Sequence, residues 1–156
     1  MSIDQLRSKR KPILPPTYLL IALSVMLGLH FIYPGFSVIP TPWKLFGLLF
    51  LGIGIGISYA AEAQFHRANT AVKPFEEPAA LVTDGMFRFS RNPMYLGFVS
   101  ILFGAAISLG SLTPTLAIPV FIALIHKKFV RVEEQLLAKT FPREWLDYAK
   151  KVRCWL

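Results

Sequence analysis

The chain has 156 residues, enough for one domain and too few for two of ordinary size. Hydrophobic residues make up 54% of it and charged residues only 17%, against roughly 25% in soluble domains. This imbalance excludes a disordered chain, a coiled coil and a typical water-soluble enzyme. The formal net charge is +8, but the basic residues lie outside the apolar runs. We therefore expect them to contact a membrane surface and not nucleic acid.

Four apolar stretches follow one another along the chain. A bilayer core of about 30 Å needs roughly 20 helical residues, and the first three stretches approach that length with their flanking residues. The fourth is shorter and contains Pro114 and Pro119, the second of which is expected to kink it. The predicted spans cover about 17–33, 45–61, 94–109 and 112–125. The sequence thus predicts an all-α integral membrane protein with about four transmembrane helices, forming a single domain over 1–156.

Basic residues alternate across these spans. Four precede the first span (Arg7, Lys9, Arg10 and Lys11), and Lys44 alone lies between the first two. Four lie between the second and third, none between the third and fourth, and eight follow the fourth. Because positively charged loops stay in the cytoplasm, we expect both termini and the loop 62–93 to be cytoplasmic. The first span is expected to remain uncleaved.

The second span contains four glycines, Gly47, Gly52, Gly54 and Gly56. Small residues on closely related helix faces let another backbone approach closely. The pattern favours helix–helix packing, and the alternative is a cofactor or lipid lying against this helix.

The loop 62–93 is long for so small a protein, and its apolar content predicts an ordered segment. Thr83-Asp84-Gly85 indicates a turn in which Gly85 can take a positive φ, and Pro93 suits the first turn of the third span. The tail 126–156 begins with apolar residues at helical spacing and is broken at Phe141-Pro142. A second short helix is predicted over 143–152. The tail is therefore predicted to be a cytoplasmic amphipathic helical segment.

Glu133 and Glu134 lie about eight residues beyond the last span, and Arg131 shares a helix face with Glu134. The acids either balance the nearby basic residues or, beside arginines, bind a zwitterionic ligand. No metal site is expected, because the three histidines are widely separated and the chain has one cysteine.

Two separated motifs resemble the isoprenylcysteine carboxyl methyltransferase family. Residues 81–97 (LVTDGMFRFSRNPMYLG) resemble the family signature, Gly-x-Tyr/Phe-Arg followed by Arg-His-Pro-x-Tyr-x-Gly. Residues 131–148 (RVEEQLLAKTFPREWLDY) are similar to the family tail, in which an arginine and a Glu-Glu pair precede Phe-Gly-x-Glu-Tyr-x-x-Tyr. Residues 65–75 (FHRANTAVKPF) are similar to bacterial members. The chain departs from the signature at Asn92, where the family has His, and at Pro142, where it has Gly.

The resemblance implies a membrane methyltransferase that uses S-adenosyl-L-methionine. Because four spans match the small prokaryotic members of the family, it also implies a prokaryotic inner membrane. It implies a cytoplasm-facing cofactor pocket closed by the middle loop and the tail, with a lipophilic acceptor entering from the bilayer. Its motif positions imply cofactor-binding residues at Arg91, Asn92, Tyr95, Glu133 and Glu134. They imply catalytic residues at Arg88, Arg131 and Glu134.

The acceptor stays open at this point. With Asn92 in place of His no base other than a glutamate remains, which favours a carboxylate or thiol acceptor over an amine. The alternatives are a phospholipid N-methyltransferase acting on an amine headgroup, a sterol-type reductase with a nicotinamide cofactor, and a non-enzymatic small membrane protein. The predicted partners are this lipophilic or lipid acceptor and the membrane lipids.

Overall fold

A computed structural model describes residues 13–70 and 76–156. Within these ranges the chain forms helices and no named strand, which confirms the predicted all-α class. The α-helices are α1 (Pro15–Ile32), α2 (Phe46–Arg67), α3 (Pro93–Leu109), α4 (Ala117–Ile125), α5 (Arg131–Thr140) and α6 (Pro142–Lys151). The basic group of Arg7, Lys9, Arg10 and Lys11 lies outside the described residues. So do residues 71–75, which include Lys73 and part of the third similar stretch.

Among the described residues, two helices are long and apolar enough to cross a membrane. They are Pro15–Ile32 and Trp43–Arg67, the latter being α2 with the 3₁₀ turn Trp43–Leu45 that precedes it. A third apolar helix, Pro93–Leu109, is 17 residues long. Only 17% of each long apolar segment is buried inside the protein. Outward side chains such as Leu20 and Phe31, 63% and 76% exposed, form an apolar surface of the kind that water disfavours and lipid tails accept.

The fourth apolar stretch is not a separate helix followed by a separate tail. A 3₁₀ turn (Thr113–Leu116) leads into α4, a π-helical turn (His126–Val130) follows, and α5 continues directly from it. Pro119 is the third residue of α4, in the first helical turn, and the chain remains helical through it. The predicted division at residue 126 corresponds to a change of helical geometry, and the helix ends only at Thr140.

Glycines bring α2 and α3 into backbone contact. A Cβ atom added at Gly54 would lie 2.5 Å from the carbonyl oxygen of Gly97, and one added at Gly97 would lie 2.6 Å from that of Gly54. Gly47 and Gly104 face each other in the same way one heptad along. The Ser100 hydroxyl donates to the Phe50 carbonyl oxygen across the same interface, at 2.9 Å. Any side chain at these glycines would push the two helices apart.

The other two glycines of the second span, Gly52 and Gly56, have nothing within 4 Å of an added Cβ. The packing interpretation is therefore confirmed for Gly47 and Gly54 and wrong for Gly52 and Gly56, which lie on the outward face of the helix.

The middle loop begins later than predicted, because α2 continues six residues past 61 and ends at Arg67. Gly85 has φ 54° and opens a 3₁₀ turn (Gly85–Arg88), so the predicted turn with positive φ is confirmed. Pro93 occupies the first turn of α3, also as predicted. The described part of the loop is ordered by a small core of buried residues: Ala61, Val82, Phe87 and Tyr148.

The tail folds back onto this loop. Phe141 separates α5 from α6, as the Phe-Pro pair predicts, and α6 begins at Pro142. The buried Tyr148 hydroxyl donates to the Phe87 carbonyl oxygen at 2.7 Å. Through this bond and the shared core, α6 holds the middle loop beside α5, which creates a cavity between them.

Candidate active site

The cavity lies where the middle loop, the start of α3, α5 and α6 meet. The empty space at this point is about 860 Å³, including the part that is open to solvent. Apolar side chains form most of its wall, and its polar groups come from the middle loop, the start of α3, α5 and α6. The polar lining includes all five residues predicted to bind a cofactor, namely Arg91, Asn92, Tyr95, Glu133 and Glu134.

Arg91 and Glu134 face each other across the cavity wall. The Arg91 Nε atom lies 3.2 Å from the Glu134 Oε1 atom, and both side chains are mostly buried. The angle is not that of a hydrogen bond, so within the described residues both atoms are buried without a hydrogen-bond partner. The guanidinium carbon of Arg91 lies 5.3 Å from the centre of the Trp145 ring. The site thus holds a cation, an anion and an aromatic face within a few ångströms.

Tyr95 and Glu133 form the second polar pair. The Tyr95 hydroxyl donates to the Glu133 Oε1 atom at 2.8 Å, joining the first turn of α3 to α5. Burial raises the pKa of Glu133 to about 7, while the Tyr95 hydrogen bond lowers it and the neighbouring charge of Glu134 raises it. Burial therefore keeps the proton on this carboxyl group to a higher pH than on a carboxyl group in water.

Asn92 lines the cavity, but its side-chain amide is already engaged. The Asn92 Nδ2 atom donates to the carbonyl oxygen of Cys154 at 3.1 Å. The backbone N–H of Asn92 donates to the Ser90 hydroxyl at 3.1 Å. Ser90 and Cys154 carry no sequence signal for this role, and neither residue was predicted to take part in the site.

Two predicted site residues lie elsewhere. Arg88 is exposed at the end of the 3₁₀ turn and lines a neighbouring groove together with Glu144, Asp147 and Lys151. Arg131 is exposed at the start of α5 and lines neither the cavity nor the groove. The structure therefore brings together the residues predicted to bind the cofactor and leaves these two arginines apart from them.

Trp145 is a lining residue that the sequence analysis did not assign to the site. Its sequence signal was its place in the motif 131–148, where it follows Glu144 at an aromatic position of the family tail. No group of three or more His, Cys, Asp or Glu side chains is placed to hold a metal ion in 13–70 or 76–156.

The sequence model of the phospholipid methyltransferase family matches residues 43–144, about two thirds of the chain. The chain belongs to this family. The matched region contains α2, the middle loop, α3, α4 and α5, so it includes all five residues predicted to bind a cofactor.

Curated relatives carry names that agree with the sequence resemblance. A probable protein-S-isoprenylcysteine O-methyltransferase of Oryza sativa subsp. indica is 32% identical over 108 residues, which are 68% of this chain and 56% of the relative. The protein-S-isoprenylcysteine O-methyltransferase of Saccharomyces cerevisiae is 38% identical over 80 residues, 49% of this chain and 32% of the relative. The protein-S-isoprenylcysteine O-methyltransferase of Schizosaccharomyces pombe is 28% identical over 117 residues, which are 75% of this chain and 49% of the relative. The resemblance is confirmed, and the chain spans about half or less of these relatives' length.

Proposed function

We propose that this protein is a membrane methyltransferase that uses S-adenosyl-L-methionine and methylates a lipophilic acceptor. The observation that carries the proposal is the meeting of Arg91, Glu134, Tyr95 and Glu133 in one cavity. They come from two motifs about 40 residues apart, and each motif supplies one member of each pair. Family membership adds independent support for a methyl-transfer reaction.

We infer that the chain has four membrane segments, the two long apolar helices followed by α3 and by the 3₁₀ turn with α4. The cavity then lies at the cytoplasmic end of the bundle, with α5 and α6 beneath it. The basic residues of the middle loop and tail support this orientation, since such loops remain in the cytoplasm. In this arrangement the cavity is within reach of both a water-soluble cofactor and an acceptor held in lipid.

The donor set fits the proposed cofactor. S-adenosyl-L-methionine supplies, when bound, a methyl group on a sulfonium, and it also carries a carboxylate and an ammonium. Arg91 is suited to the carboxylate and Glu134 to the ammonium, because each presents a buried atom without a hydrogen-bond partner in the described structure. Trp145 offers an aromatic face for a cation. In the free protein the charges of Arg91 and Glu134 offset each other. When the ligand binds, its carboxylate and ammonium would pair with these two side chains.

The chain's own contribution to the reaction is alignment. Holding a donor and an acceptor in line removes roughly 7–11 kcal/mol from the barrier in favourable cases, and methyl transfer needs little covalent help from the protein. Arg91 and Glu134 fix one end of the site, Tyr95 orients the Glu133 carboxyl group, and the apolar wall excludes water. Arg88 and Arg131 lie outside this arrangement, so the proposal does not depend on them.

We propose an isoprenylcysteine-type carboxylate as the acceptor. A carboxylate is already ionised at neutral pH and needs no base. The names of the curated relatives support this substrate class. A phospholipid amine is the second candidate, because an amine must lose a proton and the buried Glu133, with a pKa of about 7, is placed to accept it.

The cofactor site is tested by titrating detergent-purified protein with S-adenosylhomocysteine in a calorimeter. We expect micromolar binding by the wild type and at least a tenfold loss in Arg91→Ala and in Glu134→Ala, since each variant leaves a buried charge unpaired. Arg143→Ala and Glu144→Ala, which change exposed charges on α6, are matched controls and should bind like the wild type. A folded wild type that does not bind would refute the proposal.

The acceptor is tested by transfer of a labelled methyl group. Farnesylated cysteine and phosphatidylethanolamine vesicles are offered in parallel to the wild type with labelled S-adenosyl-L-methionine. A carboxylate acceptor gives a methyl ester, from which alkali releases labelled methanol, whereas an N-methyl product retains its label in alkali. Label that alkali does not release would favour the phospholipid amine over the isoprenylcysteine carboxylate.

A further inference from the structure

The segment after α6 folds back onto residues 90–92, which directly precede α3. The backbone N–H of Arg91 donates to the Arg153 carbonyl oxygen at 3.0 Å. The Ser90 hydroxyl donates to the Cys154 carbonyl oxygen at 3.3 Å, and Asn92 Nδ2 donates to the same oxygen at 3.1 Å. Three consecutive residues, 90–92, are thus hydrogen-bonded to two consecutive carbonyl groups.

This contact is built into the protein and is not a loose surface association. Ser90 is fully buried and Asn92 is 7% exposed. Trp155 packs against the main hydrophobic core and lies 6.3 Å from the His126 ring, centre to centre. The aromatic side chain anchors the segment, and the two carbonyl groups before it face residues 90–92.

Arg91 has no regular structure of its own to hold it. It lies between the 3₁₀ turn that ends at Arg88 and the helix that begins at Pro93. Its guanidinium nevertheless has to point at Glu134 and Trp145 rather than into solvent. The bond to Arg153 holds the backbone of Arg91, and Ser90 and Asn92 on either side of it are hydrogen-bonded to the same C-terminal segment.

We propose that residues 153–155 form a clamp that positions Arg91 for ligand binding, with Ser90 and Asn92 as its positioning residues. The proposal rests on the proposed function, because it assigns Arg91 to the ligand site. Asn92 then acts through the backbone of Cys154, and its contribution to affinity is indirect. Closing the clamp and filling the site favour each other, since both need Arg91 in one orientation.

Cys154, the chain's single cysteine, is a native reporter of the clamp. Its Sγ atom lies 3.5 Å from Asn92 Nδ2, and the side chain is partly buried. Burial raises the pKa of the thiol, and Glu134 raises it further while Arg91 lowers it. A thiol reagent at fixed pH should therefore label Cys154 slowly when the clamp is closed and faster when it opens.

The experiment measures the labelling rate of Cys154 in the full chain, with and without S-adenosylhomocysteine. Ser90→Ala removes one bond to the segment and the acceptor for the Asn92 N–H. We expect it to raise the labelling rate of the free protein and to weaken S-adenosylhomocysteine binding, each by roughly tenfold. Saturating ligand should slow labelling in the wild type. Asn92→Ala should behave in the same way as Ser90→Ala.

Ser100→Ala is the matched control, because it also removes a serine-to-carbonyl hydrogen bond but between α2 and α3. It should leave both the labelling rate and the affinity at wild-type values. If Ser90→Ala and Ser100→Ala behave alike, the clamp is refuted while ligand binding by the wild type still supports the proposed function. If ligand saturates the wild type without slowing labelling, the coupling between clamp and site is refuted.

The labelling rate of Cys154 without ligand tests the clamp, whereas ligand binding by the wild type tests the proposed function. A wild type that binds no ligand refutes the proposed function and, with it, the role of the clamp in binding. A Ser90→Ala variant that fails to fold is replaced by Trp155→Ala, which releases the anchor without touching 90–92. That variant is expected to show the same faster labelling and weaker binding, and wild-type behaviour would overturn the clamp.

Discussion

The buried carboxyl group of Glu133 should make this protein less stable as the pH rises from 5 to 8. The pKa of Glu133 is about 7 in the folded chain, against an ordinary value of 4.5. Between these two values the unfolded chain has lost the proton and the folded chain has kept it. The unfolded state therefore binds fewer protons, and the free energy of unfolding falls as the pH rises through this window.

The difference of about 2.5 pKa units corresponds to about 3 kcal/mol between the two ends of the window. This is a large share of the 5–15 kcal/mol that typically stabilises a folded domain. The buried Tyr148 and Cys154 also have raised pKa values, but both groups ionise above their ordinary values of 10.0 and 9.0. Their contribution falls above pH 8 and does not overlap the window assigned to Glu133.

Glu133→Gln is the deciding substitution, because glutamine keeps the shape and can still accept the hydrogen bond from Tyr95. We expect the wild type in detergent to have a lower unfolding temperature at pH 8 than at pH 5, and Glu133→Gln to lose most of that difference. Glu144→Gln, a change at an exposed carboxylate, is the matched control and should retain it. Equal pH dependence in the wild type and Glu133→Gln would refute the assignment of a raised pKa to this residue.

Three further outcomes follow from the same contacts. Tyr95→Phe should raise the pH midpoint of the Glu133 transition by about one unit. It removes a hydrogen bond to the charged carboxylate that is worth roughly 1.5–3 kcal/mol, part of which is regained when the surrounding side chains rearrange. Unfolding temperatures measured against pH would detect the shift, and an unchanged midpoint would contradict it. Gly97→Ala should destabilise the protein by about 1–3 kcal/mol through overpacking against the Gly54 carbonyl, whereas Gly52→Ala on the open face should not, and thermal unfolding compares the two. Trp145→Ala should weaken S-adenosylhomocysteine binding several-fold in calorimetry by removing the aromatic face beside Arg91, and wild-type affinity would exclude Trp145 from the site.

The sequence predicts those parts of the fold that local patterns specify. Apolar runs gave the helices, Gly85 and Pro93 gave the turn and the start of α3, and the Phe-Pro pair gave the end of α5. The motif positions also gave five of the polar residues that line the cavity, because two motifs of one family signature converge in space. Gly52 and Gly56 were not separable from their packed neighbours, since the face a helix turns inward depends on which helix lies beside it.

The contacts that escaped prediction are those between distant, irregular segments. Ser90 and Cys154 are 64 residues apart and meet through a backbone carbonyl, which leaves no periodic or compositional trace. Arg88 and Arg91 are alike in sequence, and only the fold separates the exposed arginine of the 3₁₀ turn from the one that faces Glu134. The apolar run ends near 126, whereas the helix continues through the π-helical turn to Thr140, because α5 is amphipathic and the end of an apolar run does not end a helix.

The π-helical turn at His126–Val130 sets the angular position of everything after it. Each residue of an α-helix advances about 100° around the axis, so one residue more or less in this turn would rotate α5 by that angle. Glu133 and Glu134 would then leave the cavity together, although every side chain of the motif remained in the sequence. The length of this turn is consequently as much a determinant of the site as the glutamates themselves, and homologous chains that lack or extend it would need a compensating change before α5 to place the same carboxyl groups.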